Sequence, residues 1–571
     1  MSIAREKLLQ QFQKEYERLN DAQRQAVNQV EGPVMVIAGP GTGKTQILSA
    51  RIGKILLSDA QIEPSNILCL TYTDAGVVAM RRRLLQFIGP DAYRVAIHTF
   101  HAFCNEVIQD NLSLFEKTAL DPISDLERIE LLKELIDAFP KDHPLKRYRG
   151  DVYFEVNNLQ TLFSLMKREG WTGEFICQKV DEYINDLPTR DEYVCKRATK
   201  EYKKGDIRWD KIEEQKEKMS KLQAACKEFH KFQHLMRSRS RYDFDDMIAW
   251  VIEAFKENES LLRQYQEQYQ YILVDEYQDT SGSQNKIVEL LINFWDKPNV
   301  FVVGDDDQSI YRFQGANVEN MEAFANIYGE DLMKIVLTNN YRSTQPILNV
   351  SKSLIDRNTE RLVARLPGLS KELVSSNLDI SHLTHYPTVL EYELQRDEMI
   401  STVQRVEGLL KEGVKPWDIG IIYRENKYGD ELASYFRLKE IPFYTKRSLN
   451  ILDQPFIQQL LLVLNYLAAE HDTPYGGDEM LFQILHFEWF DIPPIEIAKA
   501  SVQVAELNYK GARTSLRRQP FLQLLDPAQI DALAAVHGWH RRLRLVRGAV
   551  RGSVGQCRDA VEEKVGERVR D

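Results

Sequence analysis

Val34-Met35-Val36-Ile37-Ala38-Gly39-Pro40-Gly41-Thr42-Gly43-Lys44-Thr45 is the stretch that decides how the chain folds. Its opening residues are apolar and rich in β-branched side chains, which reads as a buried strand. The glycines let the backbone turn tightly and aim its N–H groups inward. Ile47, Leu48, Ile52, Ile55 and Leu56 then fall on one face of a helix. Strand, glycine-rich turn and helix N-terminus together make an anion cradle. The expected nucleotide contacts are Ala38, Gly39, Pro40, Gly41, Thr42, Gly43, Lys44 and Thr45. Lys44 is expected at the β- and γ-phosphates and Thr45 on Mg²⁺. The strict pattern has glycine where this chain has Ala38. An incidental glycine-rich loop would leave the strand before it and the Lys-Thr pair after it without a reason.

Working outward, Asn20 is placed to cap a helix whose apolar face carries Ala22, Ala26 and Val27. Gln23 on that helix offers the donor and acceptor that an adenine edge requires. Residues 67–73 and 94–101 read as two more strands with polar and aromatic ends. Ligands of open α/β sheets bind at such carboxyl ends. Thr71, Thr99 and His101 are therefore candidates for phosphates, and Tyr72 and Phe100 for stacked bases, the alternative being that these aromatics belong to the core. Between about 121 and 241 long charged helical segments dominate, and the run at 211–218 reads as a solvated face.

The sheet resumes with Tyr271-Ile272-Leu273-Val274-Asp275-Glu276. An apolar strand ending in two acids is the complement of a phosphate cradle. Asp275 is expected on Mg²⁺ and Glu276 on the attacking water. Residues 299–308 form the next strand, with Gln308 at its tip as a γ-phosphate sensor. Asp305, Asp306 and Asp307 repel one another, which a purely structural loop would avoid. Phe313 follows as a stacking platform. Arg342 is a candidate charge stabiliser reaching in from a second domain. Residues 419–423 read as a strand of that domain and 456–468 as a buried helix.

The whole chain is 571 residues with a net charge of −11, so any nucleic-acid contact must come from local patches. Its cysteines, at 69, 104, 177, 195, 226 and 557, are scattered with no C-x-x-C pair, which points to reduced thiols in a cytoplasmic protein. Apolar runs are too short for a membrane span.

Laid in order, these segments resemble the UvrD/Rep/PcrA group of superfamily 1 DNA helicases. The likeness rests on Leu19-Asn20-Asp21-Ala22-Gln23, the cradle, Val274-Asp275-Glu276-Tyr277-Gln278-Asp279-Thr280, Val303-Gly304-Asp305-Asp306-Asp307-Gln308-Ser309 and Asn340-Tyr341-Arg342-Ser343-Thr344. It implies an α/β fold of the P-loop NTPase class, with RecA-like parallel-sheet motor domains and helical insertions. The implied layout is a first motor domain in two parts (1–115 and 241–335) around a helical insertion (116–240). A second motor domain begins at 336–474, followed by the start of its own insertion (475–539) and an arginine-rich tail (540–571). The implied activity is ATP hydrolysis with Mg²⁺, driving 3′-to-5′ movement on single-stranded DNA or a 3′-tailed duplex. In that reading Gln23 recognises adenine, Glu276 is the base, Gln308 couples ATP to DNA and Arg342 is an arginine finger.

The chain also departs from the pattern. Asp74-Ala75-Gly76 replaces a lysine-bearing stretch near the DNA path, and Gln314 replaces a frequent arginine. The family's last motifs do not occur after residue 350. Arginines crowd in beyond 510, at 513, 517, 518, 541, 542, 544, 547, 551, 558, 568 and 570. A truncated or frame-shifted reading is the expectation, with a DNA-binding tail as the alternative. It implies ATP and DNA binding, weak hydrolysis and no processive unwinding. A P-loop kinase would leave the segments around Gln308 and Arg342 without a role.

Overall fold

The computed structural model describes residues 3–59, 61–115, 120–195, 203, 205–309, 319–358, 361–362, 370–445, 451–472, 477–490, 492–511, 514 and 516. The chain divides into two compact units, Met1–Val389 and Leu390–Asp571.

The first unit is built on six parallel strands: β1 (Val34–Ala38), β2 (Ile67–Thr71), β3 (Ala96–Thr99), β4 (Tyr271–Val274), β5 (Val300–Gly304) and β6 (Met333–Leu337). Their spatial order is β3-β2-β4-β5-β1-β6. In register, Val36 of β1 pairs with Val303 of β5 on one side and Ile335 of β6 on the other. Strands β1, β2, β4 and β5 are buried along their whole length, as covered faces on both sides require. Side chains alternate between two cores. Met35, Ile37, Leu68 and Leu70 join one, while Val34, Val36, Ile67 and Cys69 join the other.

Helices follow the strands as the apolar spacing requires. Lys44–Ser58 follows β1 and buries Ile47, Leu48, Ile52 and Ile55. Asp21–Asn28 starts with a capping box between Asn20 and Gln23, and buries Ala26 and Val27. Arg51 joins the two helices: its guanidinium donates to the carbonyls of Ala26, Gln29 and Val30 and lies 4.5 Å over the Phe301 ring. Burial lowers its pKa to about 9.

The third strand is shorter than the sequence implies. It stops at Thr99, and Phe100 and His101 begin the helix Phe100–Asp110, because Thr99 caps that helix by accepting the Ala102 N–H at 3.2 Å. Five described helices between Asp125 and Ser238 pack around their own core, which includes Leu132, Phe163, Cys226 and Phe229. Helix Trp209–Lys227 buries only Ile212, Ala225 and Cys226. The charged run on it pairs along the helix, Lys216 with Glu213 and Lys218 with Glu214, as a solvated face does.

The second unit is helical among its described residues, with small clusters around Met399, Val403 and Phe436 and around Tyr466, Leu481 and Ile497. Two expectations are corrected here. Residues 419–423 form no strand, and Ile422 is 99% exposed. A strand needs a neighbouring strand, and the described residues of this unit supply none. Helix Pro455–Asp472 forms where a buried helix was expected, but Phe456, Leu460 and Leu464 are exposed and only its far end, at Tyr466 and Leu467, is buried. The arginine-rich tail lies outside the described residues. No described helix is long and apolar enough to cross a membrane.

Candidate nucleotide and nucleic-acid site

The loop after β1 takes the cradle geometry. Gly41 and Gly43 have φ of 70° and 89°, a region that residues with a Cβ seldom enter. The Thr42 hydroxyl donates to the Gly39 carbonyl at 2.7 Å and fixes the turn. Lys44 and Thr45 open the following helix, so its free N–H groups and its dipole face the loop. Lys44 Nζ lies 2.6 Å from Glu276 Oε2, across from β1 at the exit of β4.

That exit is acidic and poorly compensated. Burial, then the neighbouring Glu276 charge, raises the Asp275 carboxyl to about 7, against the opposing pull of Lys44. Asp279 is pushed up to about 6 by burial and then by Glu276. The donor set is hard oxygen, one anion deeply buried and a hydroxyl at Thr45 nearby in sequence order after the loop, which fits Mg²⁺ and its demand for few protein ligands. Glu276 itself has φ of 48°. Such strain in a residue with a Cβ clusters at functional positions.

The exit of β5 is equally acidic but compensated. Lys371, buried, places Nζ 2.6 Å from Asp305, 2.6 Å from Asp306 and 2.8 Å from Asp307. Arg361 forks onto both oxygens of Asp307 at 2.7 and 2.8 Å. Burial pulls the Lys371 ammonium down, but the three aspartates outweigh it and hold it above its ordinary value. The expectation that a structural loop would avoid three consecutive aspartates is therefore corrected: two distant cations neutralise them. Gln308, at the end of this turn, donates to Asp305 Oδ2 at 2.6 Å.

Arg342 lies within the compact unit Met1–Val389, beside the cradle. Asn340 is fully buried; it accepts from the N–H groups of Arg342 and Ser343 at 2.9 and 2.7 Å and donates to the Pro40 carbonyl. The Tyr341 N–H donates to the Gly41 carbonyl at 2.9 Å. A Cβ on Gly41 would stand 2.7 Å from Arg342 Cβ, so glycine is also required there by this close approach. The side chain of Arg342 is exposed beside the cradle. Gln23 is 2% exposed; its Nε2 donates to the Thr42 carbonyl at 2.8 Å and its Oε1 accepts the Asn20 N–H at 3.1 Å. Asn340, Tyr341, Arg361 and Lys371 were not singled out from sequence. The first two sit in a quoted motif; the last two carry no local signal for this role, since the aspartates they meet at the β5 exit lie more than fifty residues away.

The strand ends proposed for nucleic acid divide. Thr71 is buried, and its hydroxyl lies where a Cβ on Gly76 would come within 2.6 Å. Tyr72 is half-buried just beyond β2. Thr99 is occupied as a helix cap. Phe100 is 2% exposed and packs in the core, so it cannot stack on a base; this corrects the expectation. His101, next to it, is half-buried. Its ring meets Phe244 edge-on at 6.3 Å, and Phe244 is 61% exposed. His101 Nε2 lies 3.5 Å from Asp245, which Arg168 also holds at 3.2 Å. Burial pushes Asp245 up, but His101 and Arg168 outweigh it and keep it below the usual carboxylate range. Phe244, missed from sequence, is the open aromatic surface here. Phe313 lies outside the described residues.

A buried parallel sheet, a glycine cradle with its lysine and an acidic strand exit facing it define an α/β P-loop NTPase. Residues 19–329 match the UvrD/REP helicase N-terminal domain, and residues 335–475 match the UvrD-like helicase C-terminal domain. The chain belongs to the UvrD/REP helicase family. It is similar to ATP-dependent DNA helicase PcrA of Staphylococcus epidermidis, with 28% identity over 495 residues, covering 86% of this chain and 58% of that protein. PcrA of Staphylococcus aureus is 28% identical over 454 residues, covering 80% of this chain and 54% of that protein. The chain thus spans somewhat more than half the length of these curated relatives.

Proposed function

We propose that this chain is the ATP-hydrolysing, single-strand-binding part of a DNA helicase that moves 3′ to 5′. The observation that supports it most is the Lys44–Glu276 contact of 2.6 Å, which brings the cradle lysine and the strand-exit acid to one point. Ala38 to Thr45 wrap the phosphates with backbone N–H groups, and Lys44 neutralises the β- and γ-oxygens. Thr45 and Asp275 would hold Mg²⁺, which would supply positive charge to the transferring phosphoryl group. Glu276 accepts the proton of the attacking water. Gln308 faces the γ-phosphate from the next strand, and Arg342 approaches it from the loop that clasps Gly41. Gln23 meets adenine beside the loop it braces. Tyr72, His101 and Phe244 line the single-strand path, with Thr71 and Thr99 shaping the turns beneath them; Phe313 is a further candidate for stacking on sequence grounds alone.

A second reading is nucleotide and DNA binding with weak hydrolysis and no strand separation. The unpaired segment 419–423, with Ile422 almost fully exposed, favours it. Two assays on the full chain separate the possibilities. ATP turnover is measured with and without oligo(dT), using Lys44→Ala as control, and strand displacement is measured on a 3′-tailed duplex. Oligo(dT)-stimulated turnover that Lys44→Ala abolishes supports the motor; turnover indifferent to DNA contradicts it. Stimulated turnover without displacement selects the second reading.

A further inference from the structure

Glu276 keeps a left-handed backbone, with φ 48° and ψ 47°. A residue with a Cβ holds that conformation only where its surroundings impose it. Two side-chain donors meet on its Oε2: Lys44 Nζ at 2.6 Å and Gln278 Nε2 at 2.9 Å. In the reading above, entering phosphates draw Lys44 to themselves, because they carry more negative charge than one carboxylate. Gln278 then remains on Glu276.

Gln278 is built in rather than incidental. It is 1% exposed. Its Nε2 also lies 3.2 Å from Asp279 Oδ2, and its Oε1 accepts the backbone N–H of Asp305 at 2.9 Å. Gly304 gives an independent sign of the same seat. A Cβ there would stand 2.6 Å from Gln278 Oε1, yet the φ of Gly304 is not positive. The close approach of Gln278, by its amide oxygen and by its backbone nitrogen at 3.2 Å, favours glycine at 304. One residue on, Asp305 receives the Gln308 amide at 2.6 Å.

We propose that Gln278 is the positioning residue for Glu276. Its amide nitrogen fixes the carboxylate, and its amide oxygen ties that carboxylate to the backbone of Asp305, so that Glu276 and the turn bearing Gln308 shift together. This rests on Glu276 being the base for ATP hydrolysis.

The test uses the full chain with saturating oligo(dT). Gln278→Met removes the side-chain bonds to Glu276, Asp279 and Asp305. Gln278→Glu keeps the shape and the acceptor toward Asp305 but removes the donor to Glu276. Each should lower kcat about 10- to 100-fold while KM for ATP moves by less than about threefold, as an interaction needed in the chemical step requires. In a Glu276→Gln background, measured in single turnovers, Gln278→Glu should cost little more. Residues acting as one unit are non-additive in this way. Parent-like kcat in Gln278→Glu overturns the proposal. So does an equal loss in the Glu276→Gln background, or a raised KM with kcat unchanged, since each marks a scaffold role. If Gln278→Met does not fold, Gln278→Glu and the cycle decide alone. Parent-like turnover in Glu276→Gln would instead sink the base assignment; an inactive Glu276→Gln beside a normal Gln278→Glu sinks only the role of Gln278.

Discussion

Neighbouring strands β4 and β5 both end in clustered acids, and the structure treats the two clusters in opposite ways. At the exit of β5, Lys371 and Arg361 reach in from elsewhere in the chain and satisfy Asp305, Asp306 and Asp307. At the exit of β4, Asp275 and Asp279 are left with raised carboxyls, and Lys44 is the one cation bonded there among the described residues. Charge density does not distinguish a working cluster from a structural one. Compensation does: an acid cluster with too little internal counter-charge keeps its capacity for a ligand that brings positive charge. A buried pair broken on one side is costly because an uncompensated charge remains.

The contrast predicts opposite signs for removing a charge at each exit. Lys371→Met should strand Asp305 and Asp306, leaving Asp307 to Arg361, and lower the unfolding free energy by about 3–5 kcal/mol, read by urea denaturation. Unchanged stability would mean that the lysine is no counter-charge. Asp275→Asn should do the reverse in the ligand-free chain. The folded carboxyl sits near 7, above an unfolded aspartate near 4. Its contribution to stability is thus full below about pH 4 and lost as pH rises through about 7. At pH 8 the Asn variant should melt above the parent, at pH 4 level with it, and it should lose the thermal gain that Mg·ATP gives the parent. A lower melting temperature at pH 8 would refute the uncompensated charge.

Legibility followed the same divide. Strand β1 and its cradle could be read because everything needed is local: an apolar run, glycines at the turn, a capped helix before it and an apolar-faced helix after it. Residues 274–280 were legible for the same reason. Lys371 was not, because nothing near it announces three partners some sixty-five residues upstream. Phe100 escapes a local reading because a strand end and the first turn of a helix differ by one cap, Thr99, which turns that ring into the core; Phe244 stands open at the start of another helix, capped by Asp243. Residues 419–423 carry a strand pattern, but pairing is supplied by neighbours and not by the pattern.

Phe244 sharpens the nucleic-acid side of the comparison, where exposure replaces charge as the criterion. Phe244→Ala should weaken binding of oligo(dT) by about 1–3 kcal/mol, measured by fluorescence anisotropy at fixed salt. Phe100→Leu should leave that affinity unchanged. The reverse order would return the stacking role to Phe100.

The most direct measurement is single-turnover hydrolysis by Glu276→Gln, with ATP binding followed in the same samples. A neutral isostere at the uncompensated exit should bind ATP as the parent does and hydrolyse it about 10²–10⁴-fold more slowly. Hydrolysis at the parent rate would contradict the catalytic reading of this strand exit.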